Sequence, residues 1–502
     1  SSDLTNELKG NYDAVICGTG LTESLVSGCL SQAGKHVIHF DREEYGGCRV
    51  TKGINDFINW VGKNGEILVD NTEEKLKKPV RNSLYSIDLM PMTVFSRDDL
   101  IRVLINSNNF ECVYLSLIDG MYYRKDCGFH SIPASKSAIF QDKTIPLKQK
   151  RAVMKFISYF FPQAEFGHLN DTENTKQLVK EYEEKPFSEL LKKMGFDDDL
   201  VNAFEYFVAL APSDILTKEA VPRINEFCNS VGVYGISPLL AFNYGSSEAP
   251  QIFSRYSAVY GGTFVLRHVP ENVTLNDENK FEMDVNEIGH IVSPLFIASP
   301  DNLIPTDETK LIAHREVLIL SKSLVEGKGC FVGVIPPNMF DNEKPVYVHQ
   351  FDSTLKYCDK DQYLVHFSSM CEIRNVVNSI LEKLPEDSII LRAAFDIKEP
   401  IPKPVKGTYV VPSPNIDELS FGTNYFLKQA KEIMNSIDPS ISFYPKPTEV
   451  EILVDDEPKE GKKEEKKEEV KEEVKEEKKE EIKEEVKEEK KEEEQSKTEP
   501  QE

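Results

Sequence analysis

Apolar positions in the first part of the chain come in short blocks with two different spacings. Residues 12–17 form one apolar run, residues 21–30 repeat apolar positions at helical intervals, and residues 36–40 form a second run that ends in Asp41. That order predicts a strand, a helix and a second strand. Short strands and helices then alternate to about residue 135, as in residues 84–89 with a prolyl bend at Met90-Pro91. From Pro146 the spacing becomes helical. Val153, Phe156, Ile157 and Phe160 fall at i, i+3, i+4 and i+7, and Val201, Phe204 and Val208 repeat the pattern. Asp197-Asp198-Asp199 ahead of Leu200 is a helix-start cluster, and Pro162 and Pro212 mark stops. Strand-like blocks return at residues 263–266, 291–298, 316–320, 330–335, 347–351, 389–395 and 407–411, before a last helix at 424–437.

The pattern predicts an α/β fold interrupted by helices: a discontinuous domain of residues 1–135 and 230–454, with an inserted helical domain at 136–229. Phe156, Phe160, Phe161, Tyr206 and Phe207 in the insert read first as its own core. A helical layer this rich in phenylalanine could also part to admit a long apolar chain.

Residues 455–502 break both patterns and read as a tail. From Lys462 to Glu494 the chain repeats a variable position, Lys, Glu, Glu, with 12 lysines against 17 glutamates. A period of four outruns the helical turn by roughly 40° per repeat, so Val470, Val474, Ile482 and Val486 cannot keep to one stripe. With so little apolar surface the tail is expected to be solvated, disordered or transiently helical.

Composition narrows the function. The 502 residues carry a formal charge of −25, which disfavours nucleic acid as a partner and disfavours adhesion to an anionic membrane. No run is apolar for long enough to cross a bilayer, and no targeting segment precedes the first strand, so a cytosolic location is expected. Nine cysteines lie without paired spacing, as in a reducing compartment, and Cys17 and Cys29 read as buried small hydrophobes. The nine histidines are dispersed, and no metal motif is present.

Chemistry concentrates in Gly18-Thr19-Gly20-Leu21-Thr22-Glu23. Two glycines between a strand and a helix, with Asp41 closing the next strand, form a dinucleotide loop: Gly18 and Gly20 permit the turn and the approach of a pyrophosphate, and Asp41 stands where such proteins hold a ribose. Gly46-Gly47 would continue the phosphate site. The third glycine position, however, is Glu23. A carboxylate in the first turn is itself stabilised by the helix N-terminus and competes with a diphosphate. The loop is therefore read as degenerate and no cofactor is assigned. A flavin-dependent oxidoreductase of the amine-oxidase architecture is the alternative, and it predicts a yellow protein.

Two stretches together resemble the Rab GDP-dissociation inhibitor and Rab escort protein superfamily: residues 18–24, and residues 248–263, which run from Glu248 through Arg255, Tyr260 and Gly261-Gly262 to Thr263. The likeness covers about Tyr12 to Pro447. It implies a flavoprotein-like α/β domain with an inserted helical domain and no flavin. It also implies a platform for the switch regions of GDP-bound Rab GTPases, and a helical domain that shelters geranylgeranyl lipid. Carried over, the platform comprises Tyr45, Glu248, Gln251, Arg255, Thr263, Phe264 and Val265. Read without the resemblance, Arg255 is a helix-surface ion pair and Phe264 a buried strand residue. Two departures stand out: one tyrosine, Tyr45, before Gly46, and Tyr244-Gly245-Ser246-Ser247-Glu248 where the family usually has Gly-Glu-Leu-Pro.

Within the superfamily, Leu266-Arg267-His268 and the aromatic Tyr256 resemble the escort branch, whose members also bind the Rab geranylgeranyltransferase heterodimer. The resemblance implies Tyr256 and Arg267 as contacts for that enzyme. The expected protein catalyses nothing itself: it presents Rab for prenylation, masks the lipid and touches membranes only transiently through Rab. A dissociation inhibitor that recycles Rabs is the related alternative.

Overall fold

Apolar side chains at alternate positions of the first strand face two different cores, which fixes the layering around it. The computed structural model describes residues 8, 10–43, 45, 50–76, 80–125, 128–132, 136–143, 145–160, 172–210, 215–235, 237–303, 305–419 and 422–445. The charged tail, Gly46-Gly47, Phe161, Pro162 and Pro212 lie outside them. In chain order the elements that build the site are β1 (Ala14–Cys17), α1 (Leu21–Gln32), β2 (Val37–Asp41), α2 (Glu248–Val259), β3 (Thr263–Leu266), β4 (Phe296–Ala298), β5 (Tyr409–Val410) and α3 (Asn424–Ile437). The five strands form a parallel sheet in the order β3-β2-β1-β4-β5. Ala14 and Ile16 of β1 join the core under the helices, whereas Val15 and Cys17 join the opposite core with Tyr12, Phe281 and Phe296. This is the period of two that a strand covered on both faces requires.

The covering layer on the second face is a four-stranded sheet in the order Gly10–Asn11, Gly289–Ser293, Phe281–Val285, Pro270–Leu275. The sequence reading treated residues 291–298 as one strand. It is two, Gly289–Ser293 and Phe296–Ala298, in different sheets. Pro294 between them cannot donate to a ladder, so the chain leaves one sheet and enters the next.

On the other face α1 is buried along nearly its whole length, because α2 and α3 both pack on it. Small residues let α2 come close. Ser24 meets Ser254 at 3.1 Å, Ser27 meets Ser257 at 2.8 Å, and Ser31 meets Ser257 at 2.9 Å, so the buried hydroxyls satisfy one another. Gly28 sits opposite Tyr444, whose hydroxyl donates to Leu25 O at 2.9 Å. The turn after α2 also needs its glycines: Gly261 has φ +90°, and a Cβ on Gly262 would lie 2.2 Å from Ser257 Oγ.

An eight-stranded, mostly antiparallel sheet holds the long strands Pro305–Leu320 and Ile389–Pro402, paired with three register shifts. The sequence reading found only residues 316–320 of the first. Its charged half, from Asp307 to Lys310, has no apolar alternation to detect.

Between Lys136 and Ser230 the described elements are helices. Asp197 caps one of them by accepting from Leu200 N–H at 3.0 Å. Phe156, Phe196 and Phe204 pack edge to face with centroids 4.9–5.9 Å apart, and Tyr206 and Phe207 are buried beside them. The α-helical spacing expected of Val201, Phe204 and Val208 changes midway: Asp198–Ala203 is α-helical and Phe204–Val208 is a π-helix, with Ala209 N–H donating to Phe204 O. Every side chain from Phe204 to Val208 is buried, so the turn is covered on all sides. No helix among the described residues is long and apolar enough to cross a membrane.

Candidate functional site

The loop after β1 has the backbone of a dinucleotide site. Gly18 has φ +116°, and Gly20 is the residue at which α1 begins. The space above the loop, however, is filled by the chain's own side chains. The Glu23 carboxyl folds back so that a Cβ built on Gly20 would lie 2.6 Å from its Oε2, and one on Gly18 would lie 2.9 Å from its Oε1. Thr19 N–H and its hydroxyl both donate to Asp41 Oδ2 at 2.7 Å, and Glu43 N–H donates to Asp41 Oδ1 at 2.9 Å. The aspartate that would hold a ribose ties down the loop instead, and one of the loop's donors is already used. These residues do not fit a dinucleotide. Among the described residues no cluster of three or more potential metal ligands occurs either.

Burial pushes the Glu23 carboxyl up to about 8, with Asp41, Glu399 and Asp301 adding to the rise. Between its ordinary value of 4.5 and about 8 the folded chain holds a proton that the unfolded chain releases. The stabilisation from burying the neutral group is complete below 4.5 and is lost as pH climbs toward 8. Glu23→Gln, of the same size and neutral throughout, is expected to match the parent at pH 4.5 and to exceed it at pH 8.5 by on the order of 3 kcal/mol. Thermal midpoints at the two pH values check this, and parallel profiles for the two proteins would contradict it.

The residues expected to form a protein-binding platform fall into two groups. Glu248, Gln251 and Arg255 stand at i, i+3 and i+7 on one face of α2, continued by Val259, which is 75% exposed. The opposite face, with Ala249, Ile252, Phe253 and Ser257, is the one buried on α1. Partial burial raises the Glu248 carboxyl above its ordinary value. Arg255 is exposed and makes no ion pair among the described residues, so the bland expectation of a helix-surface pair is not realised.

The second group lies on β3, the edge strand of the parallel sheet, where Thr263, Phe264 and Val265 are all half-buried. The Phe264 ring stacks on His39 at 4.7 Å and meets the Tyr45 ring at 6.4 Å. Burial lowers His39 to about 4, so this imidazole is a neutral, flat support at physiological pH. Phe264 is thus an edge residue with two aromatic neighbours. Val265 turns to the other face of the strand and packs against the core of Tyr12, Val15 and Phe40. The structure brings Tyr45 and Phe264 together and separates Val265 from them.

Tyr256 and Arg267 have different surroundings. Tyr256 is 7% exposed, with its ring 4.8 Å from that of Tyr260 and 5.7 Å from that of Tyr444, so it belongs to the α1–α2 junction. Arg267 is exposed at the end of β3 with φ +60° and borders a cleft of about 1350 Å³. Of the two, only Arg267 has surface to offer a second protein. The cleft also takes in Glu23, Arg42, Arg315 and Glu316. Sequence reading missed all but Glu23. Arg315 is 1% exposed and donates to Leu89 O and Phe367 O at 2.8 and 3.0 Å, and Glu316 pairs with Arg392 at 2.7 Å. Their only sequence signal is a pair of adjacent charges inside an apolar strand.

Comparison with known proteins bears on the family and the fold. The profile of the GDP dissociation inhibitor family matches residues 8–407. The Rab GDP-dissociation inhibitor of Saccharomyces cerevisiae is 27% identical over 372 residues, 72% of this chain and 80% of the yeast protein. The Drosophila melanogaster protein named Rab proteins geranylgeranyltransferase component A is 26% identical over 495 residues, 90% of this chain and 94% of the fly protein. Among solved structures, the Rab GDI of Plasmodium falciparum superposes with a TM-score of 0.70 at 20% identity, covering 86% of this chain and 99% of that one. An oxidoreductase from Methanosarcina mazei shares the fold at a TM-score of 0.53 and 12% identity, over 84% of this chain and 100% of that one. With the family profile spanning most of its length, this chain belongs to the GDP dissociation inhibitor family.

Proposed function

We propose that this protein binds GDP-bound Rab GTPases and acts as an escort: it presents them to the Rab geranylgeranyltransferase heterodimer and then carries the prenylated product to membranes. Family membership, and the exposed Arg255 that pairs with no carboxylate among the described residues, support Rab binding. The Rab surface would meet Glu248, Gln251 and Arg255 through directional polar contacts, and Phe264 with Tyr45 through apolar contact. The helices between residues 136 and 229 would shelter the lipid. Shielding is needed because each exposed CH₂ of a geranylgeranyl chain costs about 0.8 kcal/mol in water. On this reading the protein is a non-catalytic accessory of the transferase. It would work in the cytosol and meet membranes only through its cargo.

The escort role is supported by one observation above others: the Drosophila component A protein aligns over 90% of this chain and 94% of its own length, further than the yeast inhibitor does, although the yeast component A aligns over 68% of this chain and 58% of its own. Arg267 would be the transferase contact, being exposed beside the platform strand. The second reading, a recycling inhibitor, is favoured by the family profile and by the yeast and Plasmodium relatives. A prenyl-transfer assay separates them. Transfer of geranylgeranyl to a purified Rab by the catalytic heterodimer is expected to require this protein. Tight binding of prenylated GDP-Rab without support of transfer would instead identify the recycling role, and no Rab binding at all would refute both.

A further inference from the structure

Four hydroxyls and carboxylates far apart in sequence converge beneath the start of α2. Asp88, fully buried, accepts from Ser246 N–H at 3.0 Å, from the Ser246 hydroxyl at 2.7 Å and from the Tyr357 hydroxyl at 3.3 Å, and also from the Thr51 hydroxyl. The loop that delivers Ser246 is held in a left-handed conformation, with φ +70° at Tyr244 and +111° at Gly245. A Cβ on Gly245 would lie 2.5 Å from Thr51 Oγ1 and 2.9 Å from Asp88 Oδ1, so the loop is closed tightly over the two groups.

The bond directions follow from the groups at the two ends: the Asp88 carboxylate can only accept, and a backbone N–H can only donate. Ser247 N–H donates to Thr51 Oγ1 at 3.3 Å, and the Thr51 hydrogen goes to Asp88. The Ser247 hydroxyl also donates to Thr51 Oγ1, at 2.9 Å. Ser247 Oγ is left as an acceptor, and it receives Nε2–H of Gln251 at 3.3 Å. Gln251 is exposed and its NH₂ group is the one bonded inward to Ser247, which leaves the carbonyl oxygen Oε1 as the amide atom without that contact.

We infer that Asp88, Thr51 and Ser247 act as positioning residues that fix the Gln251 amide, so that the platform offers its partner a hydrogen-bond acceptor at this point. The partner group facing it is a donor, either a backbone N–H or a basic side chain. The inference rests on the Rab-binding reading and adds the polarity of one contact to it.

The test is affinity for GDP-loaded, unprenylated Rab across four variants, each with its thermal midpoint. Gln251→Met is expected to weaken binding about tenfold, the loss of one hydrogen bond left unpaired on the partner. Gln251→Glu, which keeps an outward acceptor, is expected to stay within about threefold of the parent. Thr51→Val, of the same shape but unable to join the relay, is expected to weaken binding several-fold, and Thr51→Ser to restore it. If Gln251→Glu is as weak as Gln251→Met, the partner requires the NH₂ group and the assigned polarity is overturned. Parent-like binding by Thr51→Val removes the relay from the account, as does an equal loss by Thr51→Val and Thr51→Ser. Failure of the parent protein to bind any Rab refutes the Rab reading, and this inference with it.

Discussion

Arg255→Glu is expected to lower affinity for GDP-bound Rab by at least about 30-fold while leaving the fold intact. The side chain is exposed on the third turn of α2 and pairs with no carboxylate of its own chain among the described residues, so its removal breaks no internal bond. A change at such a position typically moves stability by no more than about 0.5 kcal/mol. The expected loss therefore falls on binding. On this face the cation stands beside Glu248 and Gln251, so a partner meets it together with an acid and an amide. Reversal places a second carboxylate there against whatever acidic or carbonyl groups the partner presents. Titration of labelled Rab measures the effect, with the thermal midpoint recorded alongside. A variant that binds like the parent would remove this face of α2 from the platform.

Gly28→Leu is expected to destabilise the protein by about 3 kcal/mol, near the upper end for overpacking a core. A Cβ at this position would lie 2.4 Å from the Tyr444 hydroxyl and 3.2 Å from Cδ1 of Tyr256. Even alanine must displace Tyr444 and its bond to Leu25 O. The sign of the smaller change decides the matter. In an unobstructed helix, Gly→Ala stabilises by up to about 1 kcal/mol, so Gly28→Ala would be favourable if α1 had room. Destabilisation by Gly28→Ala, relieved by adding Tyr444→Phe, is the expected non-additive result. A stabilising Gly28→Ala would mean that the approach of α2 to α1 is looser than the serine contacts imply. Because α2 carries the platform, Gly28→Leu is also expected to weaken Rab binding.

The parts of this molecule legible in its sequence are those governed by local spacing. Residues 12–41 announced a strand, a glycine turn, a helix and a second strand, and the chain makes β1, α1 and β2 there. Glu23 in place of a third glycine announced a crowded phosphate loop, and its carboxyl does fold onto Gly18 and Gly20. The final helix was read at its observed limits, Asn424–Ile437, because its apolar stripe is uninterrupted.

What sequence hid depends on partners distant along the chain. Thr51, Asp88 and Ser246-Ser247 are small polar residues of ordinary kind, and only the fold brings residues 37 and 196 positions away to Thr51. Tyr256 looked available for docking by its place in a motif, but helical phase turns it toward Tyr444. Arg255 and Phe264 went the other way. Each had a bland reading as a surface ion pair or a buried strand residue, and neither reading describes its surroundings. The π-helix at Phe204–Val208 was also invisible, since burial on every side leaves no periodic contrast to read.

The most direct test of the central claim is affinity for one purified Rab in two nucleotide states, GDP and a non-hydrolysable GTP analogue, measured with the same preparation of this protein. Specific binding of the GDP form, tighter than the GTP form by at least about tenfold, is the predicted result, because discrimination requires a differential affinity for the two switch conformations. Equal affinity for the two forms, or no binding to either, would contradict the account.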